Sequence, residues 1–258
     1  MATPKSILPA AWDVPHELRD RVGEKVGRQR ALFAEGHLLL VLHRPPKKDE
    51  TERLGRLFWR KPDGVWQSND LGSGAAAVSK HLSEFGDAIE RYDRQEEAAT
   101  SVDELFQVLD AMAPLQRAAR NLHAALQDAR KLLANDRDLI NFRDRAYEIE
   151  RSAELLYSDV RNALEFAVAK QSEQQATAAH QMARSAHRLN ILVALFFPIA
   201  TLTAIFGSGL RHPLEEVITP PYAFYSVIAV GLLTGCIIAL YLAAAGQGKA
   251  KPRNLPRP

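Results

Sequence analysis

The spacing of apolar residues changes repeatedly along this chain, and each change marks a different kind of element. Residues 1–20 are proline-rich and read as irregular. From Gln29 short apolar runs alternate with turn residues: 31–33, then 38–43, with Glu35 and Gly36 between them as a turn. A polar loop leads to 56–60 (RLFWR), a turn over 61–64 containing Pro62 and Gly64, and 65–67 (VWQ). This pattern predicts a small antiparallel sheet of about three or four strands that ends near Gly74. Its aromatic residues, Phe33, Phe58, Trp59 and Trp66, could form a face for stacking nucleotides; a core role is the better expectation for rings of this size.

After Gly74 the period becomes helical. Val78, Leu82, Phe85, Ile89 and Tyr92 recur at three- and four-residue steps. Ser101 and Glu104 form a capping-box pattern that starts a second helix, with Leu105, Val108, Met112, Leu115, Ala119, Leu122, Leu126, Ala129 and Leu133 along one stripe. Pro114 lies inside that stripe and predicts a kink or a break. A third stripe begins near Asp138: Phe142, Ala146, Ile149, Ala153, Leu156, Val160, Ala163 and Ala167, a seam suited to helix packing or a coiled coil. Neither glycine nor proline occurs between Asp138 and Pro198, so one helix of roughly 100 Å is expected if it continues to Phe206. Further along, Lys170, Gln174, Thr177 and Gln181 occupy the seam positions; this suits either a face open to a water-filled vestibule or a solvated helix end.

The C-terminal part holds two uncharged runs, residues 189–206 and 222–245. As helices they reach about 27 Å and about 36 Å, enough to cross the hydrocarbon core of a bilayer. The overall averages conceal them, since 25% of residues are charged and the mean hydropathy is −0.21. Arg184 and Arg188 precede the first run, Lys249, Lys251, Arg253 and Arg257 follow the second, and the loop between holds Arg211 against Glu215 and Glu216. The positive-inside rule then puts both termini in the cytoplasm and the loop outside, in the cell (inner or plasma) membrane. Tyr222, Phe224 and Tyr225 suit the outer boundary and Tyr241 the inner one. No basic start followed by an apolar stretch opens the sequence, so no cleavable leader is expected. The net charge of +2 gives no sign of nucleic-acid binding, and the single cysteine, Cys236, can form neither an intrachain disulfide nor a metal site alone.

Within the first run Phe197 and Pro198 are followed by Ile205, Phe206, Gly207, Ser208, Gly209 and Leu210. A mid-span proline is tolerated where packed neighbours compensate for the freed carbonyl, and glycines let the chain leave the helix. These residues, with Pro213, Leu214 and Glu215 in the loop, resemble the CorA family of magnesium transporters over about residues 138–248. The resemblance implies an N-terminal cytoplasmic α/β domain and a stalk helix continuing as the first span. It further implies a homo-oligomer, expected to be a pentamer, whose pore is lined by that span. A divalent cation would be the cargo, Mg2+ or a related ion (Co2+, Ni2+, Zn2+), with membrane lipid as the other partner and no cofactor. The implied pore and filter residues are Phe197, Ala200, Gly207, Ser208 and Gly209, with Pro198 as a hinge and Glu215 and Glu216 in the outer loop. The family's Gly-Met-Asn signature is here Gly207, Ser208 and Gly209, and its pore threonine is Ala200, so magnesium selectivity does not transfer directly. A non-conducting membrane scaffold with the same architecture is the second reading.

Other chemistry is sparse. His180 and His187 share a helix face and could meet a metal, although a solvated face explains them as well. Asp138, Asp144, Glu148, Glu150, Glu154 and Asp159 alternate with Arg137, Arg143, Arg145 and Arg151 as helix-surface pairs would. No phosphate loop, nucleophile motif or zinc spacing is present, so an enzyme is not expected. The expected organisation is a small β-rich region (1–74), a helical region (75–137), a stalk helix (138–188), a first span (189–206), a loop (207–221), a second span (222–245) and a basic tail (246–258). Its class is an α+β cytoplasmic domain, a small antiparallel sheet plus helices, attached to a predominantly α-helical membrane part.

Overall fold

The computed structural model describes residues 7–47, 53–207 and 220–247. The chain divides into two compact units, Met1–Lys170 and Gln171–Pro258.

The first unit is built on an antiparallel sheet of four strands in sequence order, β1 (Arg30–Ala34), β2 (His37–His43), β3 (Gly55–Arg60) and β4 (Trp66–Ser68). The β1–β2 turn is closed by Glu35 (φ 49°) and Gly36 (φ 78°), consecutive left-handed residues of the kind a two-residue hairpin needs. Strand β2 is a near-continuous apolar run because both faces of the sheet are covered. Leu38, Leu40 and Leu42, with Phe58 and Trp66, point to the helices, while Leu39 and Val41, with Leu57 and Trp59, pack with Leu8, Trp12, Val14, Leu18 and Val22. The period-two alternation of a strand divides these residues between two cores. The N-terminal residues that read as irregular therefore form the cover of the second face, and they include a short helix, α1 (His16–Asp20). The aromatics behave as core: Phe58, Trp59 and Trp66 are buried and Phe33 is half-buried against them.

Helix α2 (Ala75–Ala98) buries Val78, Leu82, Phe85 and Ile89, and adds His81, which the apolar pattern does not mark. Helix α3 (Val102–Leu132) opens on a complete capping box, Ser101 Oγ accepting from the Glu104 N–H while the Glu104 carboxylate accepts from the Ser101 N–H. The expected break at Pro114 does not occur. The helix runs through it, with Met112 and Leu115 fully buried on either side, so packing outweighs one missing backbone hydrogen bond. Helix α4 (Arg137–Gly207) starts where the Asp136 carboxylate accepts from the Leu139 N–H at 3.0 Å and also pairs with Arg60 of β3. Its stripe from Phe142 to Val160 is buried in the helix-side core, so this part of the seam is intramolecular packing.

The second unit contains the remainder of α4 and a further helix, α5 (Pro220–Gln247). Both helices are long and apolar enough to cross a membrane. Little of their apolar surface is covered: Leu192, Val193, Phe196 and Phe197 on α4, and Val230, Leu233, Ile237 and Leu240 on α5, are all exposed. Surface of this extent is unfavourable in water and suits lipid or protein neighbours.

Candidate functional site

The contact between α4 and α5 divides the apolar end of α4 into two sides. On α5, Gly231 and Gly235 are buried, and a Cβ added at Gly235 would lie 2.5 Å from the Leu195 carbonyl oxygen. A Cβ at Gly231 would lie 3.2 Å from the Ile199 Cα and 3.4 Å from a Leu202 methyl. The two backbones approach this closely because Gly231 and Gly235 are spaced as a small-xxx-small motif, which lets membrane helices pack without intervening side chains. Sequence reading missed this contact, although the spacing GLLTG was a legible signal.

At about 100° per residue, Leu195, Ile199 and Leu202 project onto one side of α4, and Val193, Phe197, Ala200 and Ala204 onto the opposite one. That opposite side is bare. Phe197 is 66% exposed, and Val193, Ala200 and Ala204 are exposed as well. Of the expected pore residues, Phe197 and Ala200 thus share the side turned away from α5. Pro198 lies inside α4 without ending it, and Gly207 is the last residue of that helix. Ser208, Gly209, Glu215 and Glu216 lie outside the described residues. The hydroxyls of this segment are satisfied locally, Thr201 donating to the Phe197 carbonyl at 2.8 Å and Thr203 to the Ile199 carbonyl at 2.7 Å.

Gln174, Thr177 and Gln181 are exposed, but they project onto the same side of α4 as Leu195, Ile199 and Leu202, because a straight helix advances by 3.6 residues per turn and not 3.5. A wet vestibule along this polar seam would not line up with Ala200. Met182 and Leu189 do line up with it. No group of three or more His, Cys, Asp or Glu suited to a metal ion occurs among the described residues, and His180 and His187 have no third ligand there.

A profile of the CorA-like Mg2+ transporter protein family matches residues 74–244, well over half of the chain and both apolar helices. The chain belongs to the CorA-like family. Among solved structures, the complete CorA magnesium transporter from Methanocaldococcus jannaschii is similar at 15% identity and a TM-score of 0.44, covering 86% of this chain and 80% of that one. The full-length CmaX protein is similar at 13% identity and a TM-score of 0.49, again over 86% and 80%. A search of curated proteins returns no match. The assignment rests on the family profile and not on these distant fold likenesses.

This CorA-like chain also contains a buried polar network that no sequence pattern announces. Arg56 of β3 has a side chain only 5% exposed, and its Nη1 donates to Glu84 at 2.7 Å and to His81 Nδ1 at 3.0 Å, while its Nε reaches Asp70 at 3.0 Å. Arg44 pairs with the same Asp70. Burial, and then Arg56, Arg44 and His43, push the His81 imidazole down to about 3, so it is neutral and accepts from Arg56 through Nδ1. On α4, Arg143 pairs with Asp144 and Arg151 with Glu154, while Glu150 turns to Arg120 and His123 of α3. These carboxylates are engaged in surface and interhelix pairs.

Proposed function

We propose that this protein is a divalent-cation channel or transporter of the CorA type, a homo-oligomer and specifically a pentamer, whose pore is lined by the bare side of α4. The observation that carries the reading is the separation of the two sides of α4: one is closed by Gly231 and Gly235, and the other presents Phe197 and Ala200 with no cover. One copy of the hairpin cannot enclose a pathway, whereas a ring of copies with these sides inward can. The cargo in this reading is Mg2+ or a related ion such as Co2+, Ni2+ or Zn2+. Both termini are cytoplasmic and the 207–221 segment faces out. Crosslinking in detergent should give a ladder ending at five copies, and a monodisperse monomer would overturn the assembly.

Orientation has a direct test. In a Cys236→Ala background, Ser208→Cys should react with a membrane-impermeant thiol reagent from outside intact cells. Labelling confined to permeabilised cells would invert the topology.

Ion identity depends on the filter position, where Gly209 offers only backbone groups and no side-chain amide to the hydration water of Mg2+, an ion that sheds water reluctantly. That deficit favours the second reading, a non-conducting oligomeric scaffold. Liposome flux across Mg2+, Co2+, Ni2+ and Zn2+ separates the two. Weakly selective flux is expected from the native chain, and the Ser208→Met, Gly209→Asn variant should gain Mg2+ flux by about tenfold, the order of one to two added hydrogen bonds. Absence of flux in both proteins supports the scaffold; selective Mg2+ flux in the native chain refutes an impaired filter.

A further inference from the structure

The first unit carries a small basic cavity of about 50 Å³ that the transport reading does not use. It lies between the end of β2, the residues leading into β3 and the middle of α3. Its walls include His43, Arg44, Arg53, Arg117 and Asn121, and among the described residues no carboxylate lines it. Arg44 is partly neutralised by Asp70, but Arg53 and Arg117 make no ion pair among the described residues. Arg117 donates Nε to the Ala113 carbonyl at 3.2 Å, which leaves its terminal nitrogens for another acceptor.

The walls are tied together. Gln29, itself 4% exposed, donates its amide to the Ala118 carbonyl of α3 at 2.9 Å and accepts from the His43 N–H of β2 at 3.3 Å. His43 in turn donates Nε2 to the Gly27 carbonyl at 2.8 Å. The imidazole of His43 is held below its ordinary value by burial first, against the Gly27 hydrogen bond, and further by Arg53 and Arg30.

We propose that this cavity binds a phosphate-class tetrahedral oxyanion, held by Arg53 and Arg117 with Asn121 and Arg44 at its rim. Guanidinium groups present paired N–H donors matched to phosphate oxygens. This site is independent of ion flux, so binding can be measured whether or not the protein conducts.

The test uses the full-length chain, with the carboxylates of Asp49, Glu50 and Glu52 in place, because they lie near Arg53 in sequence. Two arms separate the sources of the phosphate. In the first, inorganic phosphate is titrated by calorimetry in phospholipid-free detergent at constant ionic strength, with chloride as the reference. In the second, the chain is placed in nanodiscs with or without phosphatidic acid, in phosphate-free buffer, and its thermal midpoint is read. A saturable response in the first arm assigns a soluble anion, and one confined to the second assigns a lipid headgroup. In either case the double variant Arg53→Gln, Arg117→Gln should weaken the response at least about tenfold, since each charge-assisted hydrogen bond is strong. Arg94→Gln, which removes an exposed arginine of α2 elsewhere, should leave it unchanged. No response in either arm, or a response that survives the double substitution, overturns the site.

Discussion

Replacing Arg56 with methionine should destabilise the first unit by about 3 kcal/mol, the cost of leaving buried charged partners without their counter-ion. The side chain is isosteric enough to fill the space, so the loss would come from electrostatics and not from a cavity. Asp70 keeps Arg44, and Glu84, with a side chain 32% exposed, can turn to water, which holds the cost near the lower end of what buried pairs show. For a unit of this size the thermal midpoint should fall by about 6–12 °C. Arg56→Lys should fall between, because an ammonium retains the charge but cannot reach Asp70, Glu84 and His81 together. A midpoint unchanged within about 2 °C in Arg56→Met would show that the network contributes nothing.

The same network sets a pH dependence. His81 titrates at about 3 in the fold against an ordinary 6.5, so below pH 6.5 the unfolded chain binds a proton that the folded chain refuses. Stability should therefore drop as the pH falls from 6.5 toward 3, by up to about 1.4 kcal/mol per pH unit. His43 is also held down by burial and contributes with the same sign. His81→Phe should shallow the slope, and an unaltered slope would locate the proton elsewhere.

Gly235→Ala should loosen the α4–α5 hairpin, since the new methyl would sit 2.5 Å from the Leu195 carbonyl, where neither backbone can yield without moving a helix. Overpacking of this kind costs about 1–3 kcal/mol. Gly231→Ala should be milder, because its nearest contact would be 3.2 Å and part of the surrounding surface is flexible side chain. Gly86→Ala provides the opposite control. It lies inside α2 with no atom within 4 Å of an added Cβ, and should stabilise the first unit by about 0.5–1 kcal/mol through helix propensity alone. Thermal unfolding and oligomer recovery in detergent read all of these. Equal behaviour of Gly235→Ala and the native chain would show that the helices do not pack through these glycines.

The strands and the long helices of this protein were legible because each is written in a short period of its own, whereas the short helix α1 was not. The apolar run of β2, the capping box at Ser101, the stripe from Phe142 to Val160 and the uncharged runs at the C-terminus are local patterns, and local sterics and burial are enough to read them. What tertiary structure decided is everything that depends on two distant segments meeting. Pro114 stays within a helix because Met112 and Leu115 are packed around it. Residues 7–22 cover a sheet face because β2 has apolar side chains on both sides. Arg56 finds His81 and Glu84 only when β3 lies on α2, and Arg53 joins Arg117 only when the β2–β3 end lies on α3. The side of α4 that carries Phe197 and Ala200 became definable only when Gly231 and Gly235 closed the other, because helical spacing groups residues into sides without saying which side a neighbour covers.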